Sequence, residues 1–275
     1  MEIDGKTRVI PHLAHPSAHV KTPAMFNARC QDLGINAVVV PWDVPPSELP
    51  ATLAAIRGVS TIPGVIVTIP HKETVALLCD RLEGVAADLG VANLVRKSET
   101  GELIGQLYDG YGFVTGLRQQ GIDPKAMRVL LLGAGGAATA AAQALVEAGV
   151  AELVIANRNP ARAERLAARL QSAYPRSIVR AGEADATGFD LIANATSVGL
   201  SGDPSIPLDP STIAPGTIVA EMIMSPAMTP LLVAAAARGA RIHLGAHMLA
   251  AQIDLFIDVL ARPATGAEPA VFTPA

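Results

Sequence analysis

The sequence predicts an α/β protein in two domains, one of them built on a doubly wound parallel sheet. Short β-branched runs alternate with helical stretches almost from end to end, the pattern of strands joined by helical crossovers. A glycine cluster, Gly133-Ala134-Gly135-Gly136, stands directly between an apolar run and an alanine-rich helical stretch. A polar Gly-Ile-Asp-Pro-Lys segment from Gly121 to Lys125 marks a boundary ahead of it. With 275 residues, half of them hydrophobic and 17% charged, the chain has the length and composition to bury a large core, and disorder is excluded.

In order, Thr22 is placed to cap a first helix, with Pro23 at its first position and Gly34 after its end. Val38-Val39-Val40 and Gly64 to Ile69 read as strands around a helix near Thr52 to Ile56. Leu94-Val95-Arg96 and Leu103-Ile104-Gly105 read as a hairpin turned by Glu99-Thr100-Gly101. Beyond the boundary come a strand at Val129 to Leu132, a helix to about Ala148, a strand at Leu153 to Ile155 and a helix over Arg162 to Ser172. Further strands are expected at Asp190 to Ala193, Thr217 to Ala220 and Arg241 to His243. Thr229-Pro230 opens a helix that Gly239 closes, and a last helix runs from about His247 to Ala261 before a loose Pro- and Ala-rich tail.

Aromatics make up only 3% of the chain, so aliphatic residues and alanine must build the interior. A net charge of -4 shows no footprint for nucleic acid or an anionic membrane surface. Cys30 and Cys79 are too few for a disulfide framework, which points to a reducing compartment. His12, His15 and His19 share no helical face because Pro11 and Pro16 interrupt them, so no metal site is expected. Val129 to Val146 is uncharged but holds three glycines, and the residues Met1 to Lys6 lack a secretory apolar core. A soluble, cytoplasmic protein is expected.

Gly133-Ala134-Gly135-Gly136-Ala137-Ala138 reads G-x-G-x-x-A, directly after a strand and before a helix. Gly133 permits the tight turn, Gly135 lets the main chain approach a pyrophosphate, and small Ala138 allows close helix–strand packing. The helix N-terminus offers free amides to the anion. An NAD site places Asp or Glu at the end of the next strand, to bond the ribose 2′-hydroxyl. Here that end is Asn157-Arg158-Asn159, with Arg162 one turn on, so two guanidinium groups could grip a 2′-phosphate. NADP is expected in preference to NAD.

Upstream, Thr68-Ile69-Pro70-His71-Lys72 leaves a strand and enters a helix. Taken with Lys21-Thr22-Pro23, Gly90-Val91-Ala92-Asn93, Asp109-Gly110, the glycine loop, Asn157-Arg158, Asn194-Ala195-Thr196-Ser197 and Met248 to Gln252, it resembles the shikimate/quinate dehydrogenase family over nearly the whole chain. The resemblance implies a discontinuous substrate domain, 1–122 with 247–275, and a Rossmann NADP-binding domain, 123–246. It implies Lys72 and Asp109 as the catalytic pair, with Thr22, Thr68, Asn93 and Gln252 on the hydroxylated ring or its carboxylate. Thr196, Val198, Met222 and Gly245 would lie near the nicotinamide. It also implies a place in aromatic amino acid biosynthesis through chorismate.

The chain departs from the family in the substrate pocket. Val20 and Thr22 replace a pair of serines that bind a carboxylate, Met224 replaces a tyrosine, and Leu107-Tyr108 replaces Asn-Thr before the aspartate. His247 replaces a glycine and Ile66 an asparagine, so Tyr108 and His247 are candidate new donors. The expected activity is NADP-dependent interconversion of a cyclic secondary alcohol and its ketone, shikimate or a close analogue. Quinate, aminoshikimate or another cyclic alcohol is the alternative, and a non-catalytic NADP-binding regulator a further one. The partner is a small polyol, in a monomer or homodimer.

Overall fold

The computed structural model describes residues 2–262; the tail expected to be loose lies outside the described residues. In chain order the elements begin β1 (Arg8–Ala14), α1 (Thr22–Leu33), β2 (Ala37–Asp43), α2 (Leu49–Arg57), β3 (Gly64–Val67), α3 (Lys72–Leu78), β4 (Arg81–Leu82), α4 (Val85–Leu89), β5 (Leu94–Lys97), β6 (Leu103–Gln106) and α5 (Asp109–Gln119). They continue with β7 (Arg128–Leu132), α6 (Gly136–Glu147), β8 (Glu152–Ala156), α7 (Pro160–Ala173), β9 (Val179–Ala181), β10 (Leu191–Asn194), β11 (Ile218–Glu221), α8 (Pro230–Ala237), β12 (Arg241–His243) and α9 (Gly245–Phe256). A π-helical turn, Ile257–Ala261, extends α9. Among the described residues no helix is long and apolar enough to cross a membrane.

Two compact units result, 1–108 with 252–275 and 109–251. The second holds six parallel strands in the order β12-β11-β10-β7-β8-β9. Taken from β7, that order reverses direction between β7 and β10, the switch point of a doubly wound sheet. Val129 and Leu131 pack with α5, α6 and α7, whereas Leu130 and Leu132 pack with α8 on the opposite face. Burial on both faces explains why β7 is a continuous apolar run rather than an alternating one. Gly110 lies so close to Ala140 that a Cβ would stand 2.2 Å from its carbonyl oxygen, which is how α5 comes to pack on α6 in this unit.

The first unit holds a mixed sheet, β2-β1-β3-β5-β6-β4, in which β5 runs antiparallel to β3 and β6. Leu13, Val65, Val95 and Leu103 face Leu49, Leu53 and Ile56 of α2 and Val75 and Ala76 of α3. Truncating one such buried leucine to alanine costs about 2–5 kcal/mol. The hairpin at 94–106 forms as the turn residues predict. The strand β1 is not legible in the sequence, because Pro11 argues against a central strand, yet β1 pairs with both β2 and β3. The short strands β4 and β9 also lack a readable pattern.

Thr22 does not cap α1. Lys21 already has helical backbone angles, so Thr22 falls in the first turn, buried, and its side chain makes no cap bond. Pro23, expected at the first position, is accordingly the second residue of the helix; Gly34 takes a left-handed φ of 65° at the end of α1, and Thr229 accepts the Leu232 N–H at the start of α8, as the sequence predicts.

Candidate active site

In the first unit, main-chain bonds tie the predicted substrate residues together. After β3, the Thr68 N–H donates to the Leu13 carbonyl at 3.0 Å, and the His71 N–H donates to the Thr68 carbonyl at 2.9 Å. That turn delivers Lys72 as the first residue of α3, half-buried. The Ala92 N–H donates to the Lys72 carbonyl at 3.0 Å, and the Val67 N–H to the Asn93 carbonyl at 2.8 Å. Thr68, Lys72 and Asn93 therefore share one connected piece of backbone at the ends of β3 and β5. His71 is buried, with Nε2 2.8 Å from the Val44 carbonyl oxygen.

Asn93 and Gln252 are both buried and both bonded to the peptide groups of Tyr108. Asn93 Oδ1 accepts the Tyr108 N–H at 2.9 Å, and Gln252 Nε2 donates to the Tyr108 carbonyl at 3.2 Å. These bonds set amide polarity, since each side chain has one accepting and one donating end. The Tyr108 ring packs edge-on to Phe256 at 6.3 Å. Burial, helped by Glu83 and opposed by Arg96, pushes its hydroxyl up to about 12, so it stays protonated at neutral pH. Thr22 is buried and Val20 half-buried.

Sequence reasoning missed a charged cluster beside Tyr108. The Glu83 carboxylate accepts from Arg81, from Arg96 at 2.8 Å and from Gln106 Nε2 at 2.8 Å. Burial opposes its ionisation, but Arg96, Arg81 and Gln106 together hold it below the usual carboxylate range. No local motif marks these four residues, which meet only through the pairing of β4, β5 and β6.

In the second unit, Asp109 heads α5 and is buried. Gly133 follows β7 with φ of +117°, and its N–H donates to the Ala156 carbonyl at 2.7 Å. A Cβ there would sit 3.0 Å from the Ala195 carbonyl oxygen, so both conformation and space require glycine. Gly135 starts α6 with nothing within 4 Å of a would-be Cβ, leaving main-chain amides open to an anion. Ala134, Gly136 and Ala137 are half-buried, and Ala138 is fully buried against the core.

At the end of β8, Asn157 Nδ2 donates to the Asn159 carbonyl at 2.9 Å. Arg158 and Arg162 are exposed, with no acidic partner among the described residues. Free guanidinium groups one turn apart beside the glycine loop fit a phosphorylated dinucleotide.

Thr196 donates through N–H (3.1 Å) and Oγ1 (2.7 Å) to Asn194 Oδ1, and the Val198 N–H donates to Thr196 Oγ1 at 3.1 Å. Met222 and Met224, both half-buried, follow β11. A Cβ on Gly245 would lie 2.3 Å from the Ile223 carbonyl oxygen, so only glycine lets α9 start against this loop. His247 sits edge-on to buried His243, ring centroids 4.6 Å apart.

Residues 13–95 match the shikimate dehydrogenase substrate binding domain, and residues 117–198 match shikimate / quinate 5-dehydrogenase. A shikimate dehydrogenase (NADP(+)) of Rubrobacter xylanophilus is 42% identical over 86% of this chain and 84% of its own. A Thermus thermophilus shikimate 5-dehydrogenase, solved with NADP(H) and shikimate, is 34% identical with a TM-score of 0.84, covering 95% of each chain. A ligand-free 5-ketofructose reductase of a Gluconobacter species is 31% identical with a TM-score of 0.84, covering 98% of this chain and 97% of that one. With matches of this extent in sequence, and with the same two-sheet architecture, the chain belongs to the shikimate dehydrogenase family.

Proposed function

We propose that this chain is an NADP-dependent oxidoreductase interconverting a cyclic secondary alcohol and its ketone, with shikimate and 3-dehydroshikimate the best-fitting pair. The observation that carries the reading is the connected backbone at the ends of β3 and β5, which presents Lys72, Thr68 and Asn93 together in a chain that also has the glycine turn at 133–136.

The cofactor, when bound, accepts or supplies the hydride. Gly133 to Ala137 would hold its pyrophosphate, Asn157, Arg158 and Arg162 its 2′-phosphate, and Thr196, Val198, Met222 and Gly245 would border the nicotinamide. Lys72 takes the proton of the reacting hydroxyl as hydride leaves carbon, and Asp109 is the second member of the catalytic pair that the family resemblance implies. Asn93 and Gln252, whose amides the Tyr108 peptide groups orient, would contact the hydroxylated ring or its carboxylate.

A second reading, an uncharged cyclic polyol, is favoured by Val20 and Met224 in place of hydroxyl-bearing residues and by the likeness to 5-ketofructose reductase, whose substrate by its name is a keto sugar. A lost hydrogen bond to a carboxylate costs about 1.5–3 kcal/mol, roughly ten- to a hundredfold in affinity. Absorbance at the reduced-nicotinamide band, with NADP and saturating shikimate, separates the two. Robust turnover supports shikimate. Turnover confined to neutral cyclic polyols moves the assignment to that class, turnover confined to quinate keeps a carboxylated ring but another substrate, and tight NADP binding with no turnover on any of them supports a regulator.

A further inference from the structure

Glu221, the last residue of β11, is fully buried, and both of its carboxylate oxygens are met by donors. Oε1 accepts the N–H groups of Met222 at 2.9 Å and Ile223 at 3.1 Å. Oε2 accepts Asn194 Nδ2 at 3.0 Å and Thr229 Oγ1 at 2.9 Å. Burial raises the carboxyl above its ordinary range, and these four donors offset only part of that rise. Four donors around four lone pairs suit the anion, because a proton on either oxygen would face another donor.

A buried anion can only accept, and that sets the direction of every bond leading away from it. Asn194 must turn Nδ2 toward Glu221, which leaves Oδ1 to take both the N–H and the hydroxyl proton of Thr196. Thr196 has then used its only hydroxyl proton, so its oxygen accepts the Val198 N–H. On the other side, Thr229 gives its proton to Glu221 and accepts the Leu232 N–H at 3.3 Å, capping α8. One charge thus orders the loop after β10, the loop after β11 and the start of α8.

We propose that Glu221 is a positioning residue for the cofactor. Acting through Asn194, it holds the Thr196–Val198 and Met222–Ile223 loops in place and leaves the Thr196 hydroxyl able only to accept from a ligand. This rests on the reading of those loops as the border of the nicotinamide site. Glu221→Gln keeps the size and removes the charge. Its amide NH2 must face either the two main-chain N–H groups or Asn194, and in the second case Asn194 flips its own donor toward Thr196.

The test combines calorimetric titration with NADP and amide hydrogen exchange of residues 194–199 in NADP-free protein. In E221Q the NADP Kd rises about tenfold or more, exchange in that segment quickens, and the shikimate KM at saturating NADP stays within about twofold of wild type. Asn194→Ala, which leaves Glu221 its three other donors, produces the same rise, and it decides alone if E221Q does not fold. Wild-type NADP affinity in the variant overturns the positioning role, even where exchange quickens. A wild-type chain that binds no NADP overturns the cofactor reading of the loops and the proposal with it.

Discussion

Under the proposed function, the two six-stranded sheets prepare their ligand contacts by different means. In the parallel sheet of the second unit the pyrophosphate contacts would come from main chain at strand ends, where Gly133 and Gly245 have no room for a side chain and Gly135 leaves amides uncovered, with side chains added only around them, at Arg158, Arg162 and Thr196. In the mixed sheet of the first unit they come from side chains, Thr68, Lys72, Asn93 and Gln252, two of them oriented by the peptide groups of one residue, Tyr108. A main-chain site changes only if the turn changes. A side-chain site can be altered one residue at a time: the departures at Val20, Ile66 and Tyr108 fall in the first unit, and those at Met224 and His247 are side-chain changes in the second.

The largest effect expected from this division of labour is that of Lys72→Ala, which lowers kcat by about 10²–10⁴-fold and leaves the NADP Kd within about twofold. Steady-state kinetics with calorimetry checks it, and near wild-type turnover would break the assignment of proton transfer to the first unit.

Acid should weaken the second unit through His243. Burial holds this imidazole down at about 4, with His247 and Arg241 adding to the effect and the Gly116 backbone opposing it. A base whose folded pKa lies below its unfolded value of about 6.5 folds neutral. Its contribution is complete above pH 6.5 and is lost as pH falls from there toward 4, about 3 kcal/mol in all. Denaturant midpoints across that window measure it; His243→Leu should flatten the slope, and an unchanged slope refutes the role.

A third, smaller effect sharpens the cofactor side. Replacing Arg158 and Arg162 together by alanine weakens NADP about ten- to a hundredfold and leaves NAD affinity as it was. Equal losses for both cofactors would mean that the arginines do not read the 2′-phosphate. Smallest is Val20→Ser, which restores a donor and lowers the shikimate KM about two- to tenfold if the substrate carries a carboxylate. No change in KM would favour an uncharged ring.

Much of the second unit was legible because its signals are local. A β-branched run, a glycine turn and a capped helix are each written within a few residues, and the order of strands and helices implies the doubly wound sheet. The first unit was less legible. Pro11 disguised β1, and the cluster around Glu83 has no motif of its own. Thr22 shows the limit of even a local rule, since a residue with the right chemistry for a cap was displaced one position into the helix by the backbone angles of Lys21.

By itself the sequence determined the fold class, the dinucleotide turn, the arginines beside it and the identity of the residues that the family resemblance assigns to the chemistry. Only the tertiary structure decided how those residues are held: Asn93 and Gln252 by one tyrosine's peptide groups, Asn194 by Glu221, and His71 by the Val44 carbonyl. The physical reason is range. Propensity and turn chemistry act between neighbours in the chain, whereas a buried polar group must be satisfied by whichever partner the packed sheet brings beside it, however distant in sequence.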